Sequence, residues 1–309
     1  MKQPITSHVF QSVVTPRMVY ETKHMASQVR TVFDGALQSS SWLTPTLRAQ
    51  TSGELINVTI YVGSPGRLLD PDYIEEIYKS YPDVLPDRLF PTWIKYVSLN
   101  AHLAWRDQKT TRYDESAVNA YFSPGEHAVF IPTAIMRRPF LYMYGPIGLN
   151  YGALGTVIGH ELMHVFDVLH ARYYYWRTQS FKEEYTKRAL CLRKSHRSVL
   201  SLNKQEEELV DVKDSENICD LVGAVFGYAA YSSLSPEFKS VTLPGLNMSS
   251  DQLFFISHCL TFCAQHSIPA GRYAQFRSRC IVPFMNMPEF SDAFGCKPGT
   301  PMNPLNKCK

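Results

Sequence analysis

Residues 160–164 read His160-Glu161-Leu162-Met163-His164, and no other feature of this 309-residue chain restricts its fold as much. Two histidines four apart on an α-helix stand one above the other on the same face, so both imidazoles can reach one metal ion. Glu161 then projects beside that ion, where its carboxylate can take a proton from water. The flanks Val157-Ile158 and Val165-Phe166 are apolar, which requires a helix buried among others. A catalytic zinc needs a third protein ligand, brought by a later helix. Glu216, in Ser215-Glu216-Asn217-Ile218-Cys219-Asp220, stands 52 residues beyond His164 (216 − 164) and shares a helix face with Asp220 at i, i+4. Glu216 would bind the metal, while Asp220 would accept the free ring N–H of a ligating histidine and fix its tautomer. Read alone, Ser215-Glu216 is the start signal of a helix; beside the histidine pair the ligand reading takes precedence.

Around this motif, 45% hydrophobic and 19% charged residues exclude a disordered tail, a collagen-like fibre and a small disulfide scaffold. The formal charge of +3 is too even to name nucleic acid or membrane as a partner. Pro139–Gly159 and Gln252–Gly271 lack charged residues, but prolines, glycines, glutamines and histidines interrupt them, so both read as buried core. Met1 to Gln11 holds no apolar run long enough for a secretory signal; either the protein starts in the cytosol or its N-terminus lies further upstream. Seven cysteines, all from Cys191 onward, form no CxxC or CxxH cluster, and their odd number leaves at least one unpaired within the chain. The sequons Asn57-Val58-Thr59 and Asn247-Met248-Ser249 fit a secretory route.

Periodicity sets out an α-rich α+β chain. Met25, Val29, Val32, Phe33 and Leu37 recur at helical spacing, and Asp70-Pro71 reads as an N-cap with Pro at the first helical position. Ile56, Val58 and Ile60 alternate as in a short strand. Val118–Phe122 and His127–Ile131, on either side of Ser123-Pro124-Gly125-Glu126, form a hairpin-like pair with an exposed edge. Further helices are expected over Tyr151–Leu169, Phe181–Leu200, Ser215–Leu234 and Gln252–Ala264.

These blocks, in this order, resemble the neprilysin-like zinc metalloendopeptidases of peptidase family M13. The resemblance rests on Val118-Asn119-Ala120-Tyr121, on residues 159–167 and on Glu216-Asn217-Ile218-Cys219-Asp220. Gln252-Leu253-Phe254-Phe255 through Phe262-Cys263, then Asn286 through Cys308, extend it. It covers residues 113–309 strongly and 1–112 weakly. The resemblance implies a mainly helical, gluzincin-type catalytic lobe with a small edge sheet beside the HExxH helix. It implies one Zn²⁺ on His160, His164 and Glu216, with Glu161 as general base and Asp220 orienting a ligand. It assigns residues 1–112 to the end of an N-terminal region and 113–309 to the catalytic domain. Its partners would be small extracellular peptides and no nucleic acid, with membrane attachment only through an anchor outside this chain. Asn119 and Ala120 would hold substrate backbone along an edge strand.

The same resemblance pairs Cys191 with Cys308, and Cys263 and Cys296 with cysteines from an N-terminal portion that this chain lacks. Cys219, Cys259 and Cys280 are additions to its pattern, and Cys219 stands at a usual Ala. A His and an Arg six residues apart normally precede the final block, stabilising the oxyanion and anchoring substrate. Here Tyr273 and Arg279 fall at those positions; His266 and Arg272 preserve the spacing in a second register. The Gly after HExxH is Val165. These departures leave rival readings, a zinc-retaining relative that binds peptides without cleaving them or an inactive fragment.

Overall fold

The computed structural model describes residues 13–63, 70–83, 86–106, 108, 113–167, 178–199, 211–263 and 271–308. The first helix that lies wholly among the described residues is α1 (Pro16–Ser39), capped by the Thr15 side chain, which accepts from the Met18 amide. Its buried residues, Met18, Thr22, Met25, Ala26, Val29 and Phe33, form the stripe that the periodicity predicts. α2 (Pro45–Ile56) follows, with Thr44 as N-cap and Pro at its first position. Ile56 ends this helix, so only Ile60 of the predicted alternating trio enters a strand, β1 (Thr59–Val62). The cap and Pro45 outweigh a short period-2 pattern that starts inside a helix.

Asp70 caps α3 (Pro71–Tyr78), accepting from the amides of Asp72 and Tyr73. α4 (Leu89–Arg106) leaves Leu89, Phe90, Trp93, Ile94 and Val97 exposed. The predicted hairpin is β2 (Tyr121–Ser123) and β3 (Ala128–Ile131), antiparallel with Tyr121 opposite Phe130. β1 pairs with β3 in parallel, Thr59 opposite Ala128, so the sheet order is β1-β3-β2 and β2 lies on an edge. β3, central and wholly buried, reads Ala-Val-Phe-Ile without polar alternation, as a strand covered on both faces should.

Of the expected helix over Tyr151–Leu169, Val168 and Leu169 lie outside the described residues, and the described part is not one helix. After α5 (Ile147–Asn150), a π-helical turn (Tyr151–Gly155) leads into α6 (Thr156–Met163), which tightens into a 3₁₀ turn at His164–Phe166. Such π-turns recur at functional sites. α7 (Gln179–Val199) precedes α8 (Asp211–Ser232). α8 begins four residues before Ser215, which places Ser215 and Glu216 inside the helix and not at its start. α9 (Pro236–Lys239) and α10 (Ser250–Thr261) follow, the latter opened by a Ser249–Gln252 capping box. α11 (Phe276–Met285) and α12 (Pro288–Phe294) finish the described helices; Gly295, left-handed at φ 64°, terminates α12.

One core runs from Met18 on α1 to Cys308, taking in β1, β3, α6, α8, α10 and α11. Cys191 and Cys308 form one disulfide, Cys259 and Cys280 a second that the sequence left open. Among the described residues Cys219, Cys263 and Cys296 are not disulfide-bonded. No described helix is long and apolar enough to cross a membrane.

Candidate metal centre

α6 and α8 cross in backbone contact. A Cβ on Gly159 would lie 2.9 Å from the Gly223 Cα; one on Gly223 would lie 2.5 Å from the Thr156 carbonyl oxygen and 2.8 Å from the His160 nitrogen. Glycine on both helices lets them approach this closely, and the approach brings His160 and His164 against Glu216, Cys219 and Asp220.

The result is a buried knot of donors. His160 Nδ1 lies 2.9 Å from Asp220 Oδ1, and His164 Nδ1 lies 2.7 Å from Asp167 Oδ2. A carboxylate only accepts, so each Nδ1 carries the proton and each Nε2 presents a lone pair. Those two Nε2 atoms are 3.2 Å apart, and Glu216 Oε2 is 3.1 Å from the first and 3.7 Å from the second. Ligand atoms around a tetrahedral ion with bonds of ~2.0–2.1 Å lie about 3.3 Å apart. Both Glu216 oxygens are buried without a hydrogen bond of good geometry, although Nη2 of Arg272 lies 2.5 Å from Oε1. Two imidazoles with one carboxylate, converging in a buried space, form a donor set that suits zinc.

Electrostatics point the same way. Burial works against charging His160, yet the Asp220 and Glu216 carboxylates push its pKa up to about 10, a measure of the negative potential there. Burial would likewise raise Glu216, but the His160 contact and the neighbouring positive groups hold it below the usual carboxylate range. Glu161 is raised, chiefly by burial. Its Oε2 accepts from the Phe122 amide of edge strand β2 at 2.9 Å, which fixes this carboxylate between the strand and the histidines.

A cleft of about 300 Å³ opens here, lined by Asn119, His160, Glu161, Asp220, Tyr273 and Arg279 among others. Asn119 is exposed at its rim, whereas the Ala120 side chain is in the core, so only the Ala120 backbone can serve a ligand. Arg279, expected to anchor substrate, has two nitrogens committed: Nε and Nη2 donate to Asp220 at 2.7 and 2.8 Å. Its guanidinium packs over Tyr273 at 4.4 Å and Phe262 at 4.7 Å. His266 lies outside the described residues. A larger cavity, about 640 Å³ between α3 and α4, contains none of the residues singled out above.

Several participants escaped the sequence reading. Asp167, three residues after His164, accepts that histidine's Nδ1 proton and also accepts from Ser215 Oγ at 2.6 Å; its i, i+3 spacing was the available signal. His258 bridges Thr156 Oγ1 at 3.1 Å and the Arg279 carbonyl at 3.4 Å. Cys219 Sγ rests 3.4 Å from His164 Nδ1. Neither has a spacing that marks it in one dimension.

Known proteins bear on this geometry. The profile of peptidase family M13 matches residues 119–309. The endothelin-converting enzyme homolog of Locusta migratoria is 30% identical over 310 residues, 93% of this chain and 42% of that protein. Neprilysin-3 of Drosophila melanogaster is 28% identical over 93% of this chain and 39% of its own length. The chain thus spans about two fifths of the length of these relatives. In fold it is similar to the Mycobacterium tuberculosis zinc metalloprotease Zmp1 bound to an inhibitor, with a TM-score of 0.74 at 20% identity over 98% of this chain and 48% of that one.

Proposed function

This chain belongs to peptidase family M13, and from that premise we propose that it is the catalytic portion of a zinc-dependent endopeptidase cleaving small extracellular peptides. The observation that carries the reading is the meeting of His160 Nε2, His164 Nε2 and Glu216 Oε2 within 3.1–3.7 Å, beside Glu161 in a cleft. Those three residues would hold the ion. Bound there, zinc would polarise the scissile carbonyl and make water a stronger acid.

The remaining chemistry belongs to the chain. Glu161, with its pKa raised by burial and its Oε2 held by the Phe122 amide, takes a proton from the attacking water and delivers it to the leaving amine nitrogen. Asp220 and Asp167 accept the two Nδ1 protons and keep both Nε2 atoms aimed inward. The exposed edge of β2, with Asn119 and the Ala120 backbone, would pair with extended substrate. Arg279 would grip a substrate carbonyl with the guanidinium nitrogen not bonded to Asp220, and the Tyr273 hydroxyl or His266 would donate to the oxyanion. Residues 113–309 would form the catalytic domain, and 1–112 the end of the region before it. Two disulfides and the exposed sequon residues Asn57 and Asn247 support an oxidising, secretory setting.

Glu161→Gln should retain zinc while cleavage of a fluorogenic peptide falls by about 10²–10⁴-fold, the usual contribution of general acid–base catalysis. Cleavage at the wild-type rate would refute the assignment. Tyr273 at the usual His position favours the rival, a non-cleaving zinc binder. Zinc bound in wild type, with no chelator-sensitive turnover of any peptide, would select it.

A further inference from the structure

We propose that the Cys259–Cys280 disulfide is a positioning element of the cleft: it staples α10 to α11 beside Arg279 and thereby sets the affinity for peptide. Cys259 lies in the last turn of α10 and Cys280 in the first half of α11. The residues adjoining the staple are both part of the site. His258 precedes Cys259 and lines the cleft; its Nε2 is 3.4 Å from the Arg279 carbonyl, and its Nδ1 is 3.1 Å from Thr156 Oγ1 on the histidine-bearing helix. Arg279 precedes Cys280. The pairs 258–259 and 279–280 therefore meet twice, once through the S–S bond and once through an imidazole–carbonyl contact.

From Arg279 the connection runs inward without a break. Its guanidinium donates twice to Asp220, and Asp220 accepts from His160 Nδ1. The same guanidinium packs on Phe262, three residues past Cys259, and on Tyr273. Without the staple, among the described residues side-chain packing and the 3.4 Å His258–Arg279 contact would hold the Arg279 backbone to α10. Its fork would then sample orientations in which it bonds Asp220 but misses the substrate. Such a loss of preorganisation weakens substrate binding without altering Glu161, which is fixed by a different element, β2.

The proposal rests on the peptidase reading for Arg279. The experiment compares wild type, Cys259→Ala/Cys280→Ala and Cys191→Ser/Cys308→Ser as intact chains. Opening the first disulfide should raise KM for a fluorogenic peptide about tenfold, with kcat changed less than about threefold and zinc content unchanged. Opening the second should lower the melting temperature and leave KM alone. Cys259 and Cys280 are partly exposed while Cys308 is buried, so mild thiol reduction of the folded protein, followed by mass spectrometry, makes the same comparison without a variant that must refold. Equal KM with and without the Cys259–Cys280 bond, or a matching rise on opening Cys191–Cys308, would overturn the proposal. If wild type turns over no peptide, the peptidase reading fails. The affinity of a fluorescent peptide for the two disulfide states then decides this inference separately: a tenfold difference upholds it, equality sinks it.

Discussion

Asp220 serves two masters. Burial alone would raise its pKa, but the Arg279 guanidinium and His160 hold its carboxyl far below the usual range. Asp220→Asn would leave the guanidinium, itself mostly buried, facing a neutral amide. Breaking a buried ion pair from one side costs about 3–5 kcal/mol. Losing the carboxylate behind a ligand histidine typically costs about 10–100-fold in metal affinity. Urea unfolding and zinc dialysis should therefore both register the change; loss of stability with unaltered zinc affinity would sever Asp220 from the metal centre. His258 gives a pH signature. Burial pushes its pKa down to about 4, and burial does the same for His196. Unfolded histidine titrates near 6.5, so between pH 6.5 and 4 the unfolded chain binds protons that the folded chain refuses. Stability is then fully present above pH 6.5 and falls as pH drops through that window. In His258→Gln, the slope of unfolding free energy against pH should lose about one proton there, read from urea midpoints at a series of pH values.

Between helices, the decisive feature is the crossing of α6 and α8. A mid-helix Gly→Ala change normally stabilises by about 0.8–1 kcal/mol. At Gly223 the new Cβ would stand 2.5 Å from the Thr156 carbonyl and 2.8 Å from the His160 nitrogen, both backbone atoms that cannot rotate away. Overpacking of this kind costs about 1–3 kcal/mol, so the clash outweighs the propensity gain. Gly223→Ala should lower stability and, by separating Glu216 from the histidines, weaken zinc binding by tenfold or more, about 1.4 kcal/mol. Gly125→Ala, with nothing within 4 Å of the added carbon, is the control and should change neither. Zinc binding by Gly223→Ala at wild-type strength would show that the ligands do not depend on this crossing.

Across the whole molecule, residues on both sides of position 112 share one sheet and one core: β1 pairs with β3, and α1 packs on α6 and α8. The Cys191–Cys308 bond, spanning 117 residues, ties α7 to the C-terminal end of the described chain. Disulfides closing loops near that length constrain the unfolded chain by up to about 4.7 kcal/mol, and removing a native one typically costs about 2–5. Cys191→Ser should lower the thermal midpoint accordingly, while the far-ultraviolet circular dichroism of the folded state stays unchanged.

How much of this was legible in one dimension differs by range of interaction. The stripe on α1, the Asp70 cap, the hairpin and the two donors four apart on α6 are properties of residues within a few positions of each other, and local pattern specifies them. Glu216 and Asp220 were legible through their i, i+4 spacing and the family's order of motifs. The sequence alone therefore marked the side chains proposed to hold metal and the helices that carry them. Only the tertiary structure decided that Ser215 stands behind Asp167, that Phe122 holds Glu161, that Arg279 is bonded to Asp220, and that Cys259 meets Cys280. Each of those contacts joins segments 21 to 59 residues apart, or a backbone amide that carries no side-chain signature. Their existence depends on how closely α6 and α8 cross and on which edge β2 takes, quantities set by packing in three dimensions that no local periodicity encodes.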